Sequence, residues 1–146
     1  MIAHTIQLAL APVFLLVAIG NIMNILSQRL GRIVDRSRVL QDLHSATKGG
    51  EHDLVVREMR LIDRRIALVS RAILLLVTSG ITIGLTVALL FLEEFLQLDV
   101  ELVVAVGFVL ALTLLMAALL LFLRETRQAT AALRIPAEYL EHHREL

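Results

Sequence analysis

The sequence predicts an all-α transmembrane protein. Three membrane helices are expected, the first two extended into a long cytoplasmic antiparallel hairpin, with the N-terminus outside and the C-terminus inside. Two observations carry this prediction. Uncharged runs at about 5–28, 72–92 and 102–123 are each long enough to cross the roughly 30 Å of bilayer hydrocarbon as a helix. All fourteen Lys and Arg lie either between Arg29 and Arg71 or after Leu123, and cytoplasmic segments are the ones that collect cations. The hydrophobic share of 58% is too high for an ordinary soluble domain of this size, so residues 1–146 read as one membrane domain. Net charge is zero only as a sum of separated regions. The stretch 29–71 holds ten cations against six carboxylates, and the stretch 93–101 holds four carboxylates and no cation.

The first run does not resemble a removable signal peptide. Residues 1–5 lack a cation, the apolar stretch is long, and Arg29 follows it directly, so a retained helix is expected. Pro12 is tolerated in such a helix and is read as a bend. Beyond it, Leu26, Leu30, Ile33 and Leu40 keep a 4-3 apolar spacing, as do Val55, Met59, Ile62, Ile66, Val69 and Ile73. Between them stands Lys48-Gly49-Gly50-Glu51-His52-Asp53, so the segment 29–71 reads as two helices joined at a glycine turn. Nothing interrupts the pattern at either membrane boundary, so two helices of roughly forty residues, about 60 Å each, are expected. The third span should run to about Leu133, with Pro136 opening a short tail helix. The tail as a whole covers 124–146. No cysteine is present, which excludes disulfides and thiolate chemistry. The aromatic belt is nearly missing, with no Trp and one Tyr.

Polar residues inside the runs are the closest thing to a functional signal. At 100° per residue, Asn21, Asn24 and Gln28 share a sector of about 100° with Gln7, and Arg32 and Asp35 continue it. On the second helix Arg57, Arg60, Arg64, Arg71, Thr78, Thr82, Thr86 and Glu93 fall within about 80°. Two readings of this stripe stand. It packs against neighbouring helices through hydrogen bonds, or several copies of the second helix surround an axis and the stripe lines a path for ions. Gly80 and Gly84 form a Gly-x-x-x-Gly on the opposite side, a feature of close helix packing. The third span offers only Gly107 and Thr113 and is expected to face lipid.

The cytoplasmic basic set comprises Arg29, Arg32, Arg36, Arg38, Arg57, Arg60, Arg64, Arg65 and Arg71. Arg29 and Arg71 suit contact with lipid headgroups. The others suit pairing with Asp35, Asp42, Glu58 and Asp63, or binding of a cytoplasmic anion. Nucleic acid is not an expected partner, because stacking aromatics are absent and the excess charge is modest. No metal-ligand spacing, nucleophile elbow or phosphate loop occurs, so neither enzyme activity nor a cofactor or metal is expected. Glu138, Glu141, His142 and Glu145 read as one face of a solvated helix.

Residues Ala11-Pro12-Val13-Phe14-Leu15-Leu16, Asn24 and the run Arg29-Leu30-Gly31-Arg32-Ile33-Val34-Asp35-Arg36-Ser37-Arg38-Val39-Leu40 resemble the bacterial membrane proteins grouped as domain of unknown function 2721. The likeness continues through Glu58-Met59-Arg60-Leu61-Ile62-Asp63-Arg64-Arg65-Ile66. It implies a small three-span protein of the bacterial inner membrane and imports no activity. It adds weight to Arg29, Arg32, Asp35, Arg36 and Arg38 as a specific network. The sequence thus leads to a homo-oligomeric membrane protein, either an ion channel lined by the second helix or a membrane-anchored scaffold whose hairpin binds a partner.

Overall fold

A computed structural model describes residues 2–96 and 99–132. It contains three helices: α1 at Ile2–Ala46, α2 at Gly50–Leu96 and α3 at Glu101–Ala132. All three are long and apolar enough to cross a membrane. With 45 and 47 residues, α1 and α2 each extend about 70 Å, more than twice the hydrocarbon thickness. The 32 residues of α3 reach about 48 Å. Each helix runs without interruption from its apolar segment into its charged one, as the continuous 4-3 spacing requires, and α1 continues through Pro12. The expected tail helix after Pro136, with Glu138, Glu141, His142 and Glu145, lies outside the described residues.

The turn between α1 and α2 is tighter than the sequence suggests. Only Thr47, Lys48 and Gly49 lie outside helix, and α2 begins at Gly50. Gly49 has a φ of 67°, the left-handed conformation that ends a helix and favours glycine. Thr47 closes α1 by donating both its amide and its hydroxyl to the Leu43 carbonyl, at 2.9 and 2.8 Å. Glu51 and Asp53 then fall in the first turn of α2, where the helix dipole favours negative charge. The acids expected in the connection are instead part of the helix start.

Packing follows a seven-residue repeat. On α1 the buried positions Thr5, Pro12, Ile19, Leu26, Ile33 and Leu40 recur every seventh residue. On α2, Ile62, Val69, Leu76 and Ile83 do the same. This is the coiled-coil period that keeps one side of a helix facing its partner. A second α2 series, Ala72, Ser79 and Thr86, is also buried. On α3 the buried set is Ala111, Leu115, Ala118, Glu125 and Ala129.

The central helix is α2, which packs along both α1 and α3. Besides the side expected to face lipid, α3 therefore has a packed side that its lack of polar residues does not announce. Polarity alone marks α3 as lipid-facing, yet small residues such as Ala111, Ala118 and Ala129 make close helix contact possible without polarity. Its other side exposes Leu102, Val106, Val109 and Met116.

Candidate functional site

Where the apolar parts of the three helices give way to charge, one carboxylate joins them. The heptad pattern of α3 places Glu125 on the buried side, in step with Ala111 and Ala118, and its accessibility is zero. Such a charge is very costly to bury unless paired. Arg65 of α2 donates from Nε and from its terminal nitrogen to Glu125 Oε1, at 3.1 and 2.9 Å. Arg29 of α1 approaches the other oxygen, with Nε 3.2 Å from Oε2. Oε2 accepts no hydrogen bond there, so this contact is ionic. The Arg29 guanidinium also lies 5.3 Å from the Phe122 ring centre, within cation-π range, and donates a long 3.4 Å bond to Thr126 Oγ1. Two cations from two helices thus clasp one anion from the third.

A groove of about 390 Å³ opens beside this clasp, lined by Arg29, Arg32, Ile33 and Arg36 of α1 and Ile62 and Arg65 of α2. Arg36 pairs with Glu58 at 2.8 Å on the surface. Arg32 has no ion pair among the described residues. Asp35 and Arg38 are exposed. The five residues expected as one network therefore divide: Arg29, Arg32 and Arg36 share the groove, while Asp35 and Arg38 do not line it.

Farther along α2, Arg57, Arg60 and Arg64 are exposed and line a second groove of about 500 Å³ with Asp53, Val56 and Leu61. Arg71 is also exposed. The threonines that continue this stripe differ from one another. Thr78 is exposed, Thr82 half-buried and Thr86 buried. Each donates its hydroxyl to the carbonyl four residues earlier, at 2.8 to 2.9 Å, the local bond that Thr often makes inside a helix. Glu93 is half-buried. Asn21, Asn24 and Gln28 are exposed on α1, and Gln28 donates to Asn24 at 3.5 Å.

Of the Gly-x-x-x-Gly pair, Gly80 meets a neighbouring helix of the same chain and Gly84 does not. Gly80 faces Ile19 and Leu16 of α1 at ordinary contact distance, while a side chain at Gly84 would meet nothing within 4 Å. The closest approach is at Gly107, where an added Cβ would lie 2.7 Å from Thr86 Oγ1. Near it, Ser79 donates to the Ala111 carbonyl at 2.8 Å, a buried bond between α2 and α3. At the hairpin tip, the rings of His44 and His52 stand 4.4 Å apart. Among the described residues no group of three potential metal ligands occurs.

The residues that sequence reasoning passes over are Glu125 and Ser79. Glu125 follows the third apolar run and looks like ordinary tail charge, but the series Ala111, Ala118, Glu125 at steps of seven marks it as a core position.

Three apolar helices joined by short connections and a buried ionic clasp define a helical protein with three candidate membrane spans. A family model described as "Protein of unknown function (DUF2721)" matches residues 9–135. The match covers nearly the whole chain, which belongs to this family. No curated protein and no solved structure matches the chain.

Proposed function

We propose that the chain is a multi-pass protein of the bacterial inner membrane that assembles as a homo-oligomer and serves as a membrane-anchored scaffold. The segment 29–71 is read as cytoplasmic and the N-terminus as external, because ten of the fourteen cations fall in that segment. Its hairpin is the part that meets a partner, in the first place a second copy of the chain. One observation carries this reading: the α2 side left uncovered by α1 and α3 changes character along its length. Within the apolar span it presents Leu74, Ile81 and Leu85, and beyond the span it presents Leu54 and Leu61 among Arg57, Arg60 and Arg64. Leucines 65% and 49% exposed on a segment read as bathed in water suit a surface that another helix covers. Alternating Leu and Arg at 3-4 spacing gives that surface a helical seam with positive charge.

The channel reading draws on Thr78 and Thr82, which keep some exposure. It has less support. The neighbouring uncovered residues of α2 are Leu and Ile, and the threonine donors are already engaged. A side-by-side experiment separates the two. The protein has no cysteine, so single cysteines can be placed at will. In native membranes, Leu61→Cys should form a disulfide-linked dimer on oxidation while Leu40→Cys, on the buried side, should not, and proteoliposomes should pass no ions. Ion flux with no cross-link at Leu61 would overturn the scaffold reading in favour of the channel.

A further inference from the structure

We propose that the groove beside the clasp is a binding site for a phosphate group. Four guanidiniums line it, from Arg29, Arg32, Arg36 and Arg65. Only two carboxylates answer them: Glu125, shared by Arg29 and Arg65, and Glu58, paired with Arg36. An excess of two positive charges remains, and Arg32 is left with no anionic partner among the described residues. Planar guanidiniums with several donors match phosphate oxygens better than an ammonium does. Buried Glu125 fixes two of the four guanidiniums from behind. Arg65 spends two donors on it and retains the remainder, and Arg29 contributes one nitrogen. The floor of the groove is Ile33 and Ile62, both buried, so the cations are held on a packed surface and not on a loop.

The depth of the site fits a phosphate in particular. Arg29 is the first charged residue after the first apolar run, and Arg36 follows two turns later, about 10 Å along the helix. That interval spans the polar headgroup layer, which adds roughly 5 to 8 Å to each side of the hydrocarbon. The same chemistry accepts an inorganic phosphate from the water or the phosphodiester of an anionic lipid. The lipid source rests on the membrane reading, and the inorganic source does not.

The test uses the full chain. Protein in nanodiscs of phosphatidylglycerol and an uncharged galactolipid is extracted, and the lipid it retains is read by native mass spectrometry. In a second arm, delipidated protein in detergent is titrated with inorganic phosphate by calorimetry. Arg32→Gln should weaken binding roughly fivefold in whichever arm shows it, the worth of one cation beside an anionic headgroup. Arg38→Gln, an exposed cation outside the groove, should leave binding unchanged. Arg32→Lys keeps the charge but loses the planar fork, so its binding should fall between that of the unaltered protein and Arg32→Gln, which covers the case in which Arg32→Gln fails to fold. Binding in the lipid arm alone identifies the headgroup as the source, and binding in the calorimetric arm identifies free phosphate. Retention of the galactolipid as strongly as phosphatidylglycerol with no phosphate heat would overturn the site, as would equal loss from Arg32→Gln and Arg38→Gln.

Discussion

The two seams of α2 are built differently. Against α1 it presents Ile62, Val69, Leu76 and Ile83 to a matching series of Ile19, Leu26, Ile33 and Leu40. Against α3 it presents Arg65, Ala72, Ser79 and Thr86, which meet Glu125, the Ala111 carbonyl and Gly107. The first seam is branched apolar side chains packed at a constant period. The second is small residues and specific polar bonds. In hydrocarbon, helices gain nothing by burying Leu from lipid, so small residues and hydrogen bonds are the means of close association. The apolar seam continues past the uncharged runs into the charged segments, while the polar seam ends on the ionic clasp at Glu125.

Replacing Glu125 should break the second seam most. Glu125→Ala leaves Arg29 and Arg65 partly buried without their anion, and loss of one partner from a buried pair costs about 3 to 5 kcal/mol. Thermal or denaturant unfolding in detergent measures it, and loss below 1 kcal/mol would show that the clasp contributes little. On the first seam, Leu40→Ala, at a residue 1% exposed, should cost about 3 kcal/mol, within the usual range for a buried Leu. Protease cleavage of the hairpin in intact membranes should rise accordingly.

Gly107→Ala probes the close approach. Its Cβ meets a Thr86 oxygen that is fixed by its bond to the Thr82 carbonyl, so the two helices must separate at a cost of about 1 to 3 kcal/mol. Thr86→Ala in the same chain should recover much of that. No recovery would mean that the backbone, not Thr86, sets the spacing. The smallest effect is expected of Arg36→Gln, since its pair with Glu58 is about half exposed, and such pairs are worth about 0 to 1 kcal/mol.

The same contrast explains what the sequence made legible. Leu26, Ile33, Leu40, Ile62 and Val69 were readable as a seam because branched apolar residues keep their period across the charged segment, where polar neighbours set them off. The helix lengths and the glycine turn at Gly49 followed from that continuity. The α2–α3 seam was not readable in the same way. Inside an apolar run, Ala111 and Ala118 are no more hydrophobic than their neighbours, and only their size distinguishes them. Glu125 hides by the opposite route, as a charged residue among charged residues. Thr86 and Thr78 share a helical stripe, yet α3 covers one and leaves the other exposed, which depends on where Gly107 admits the neighbouring helix.

The central claim is that Glu125 couples α1 and α2 to α3. A double-mutant cycle of Glu125→Ala with Arg65→Ala, followed by unfolding in detergent, tests it most directly. Because both changes remove the same contact, the double variant should be less destabilised than the sum of the singles by at least about 1 kcal/mol, the scale of coupling between residues in contact. Additive losses would contradict the clasp.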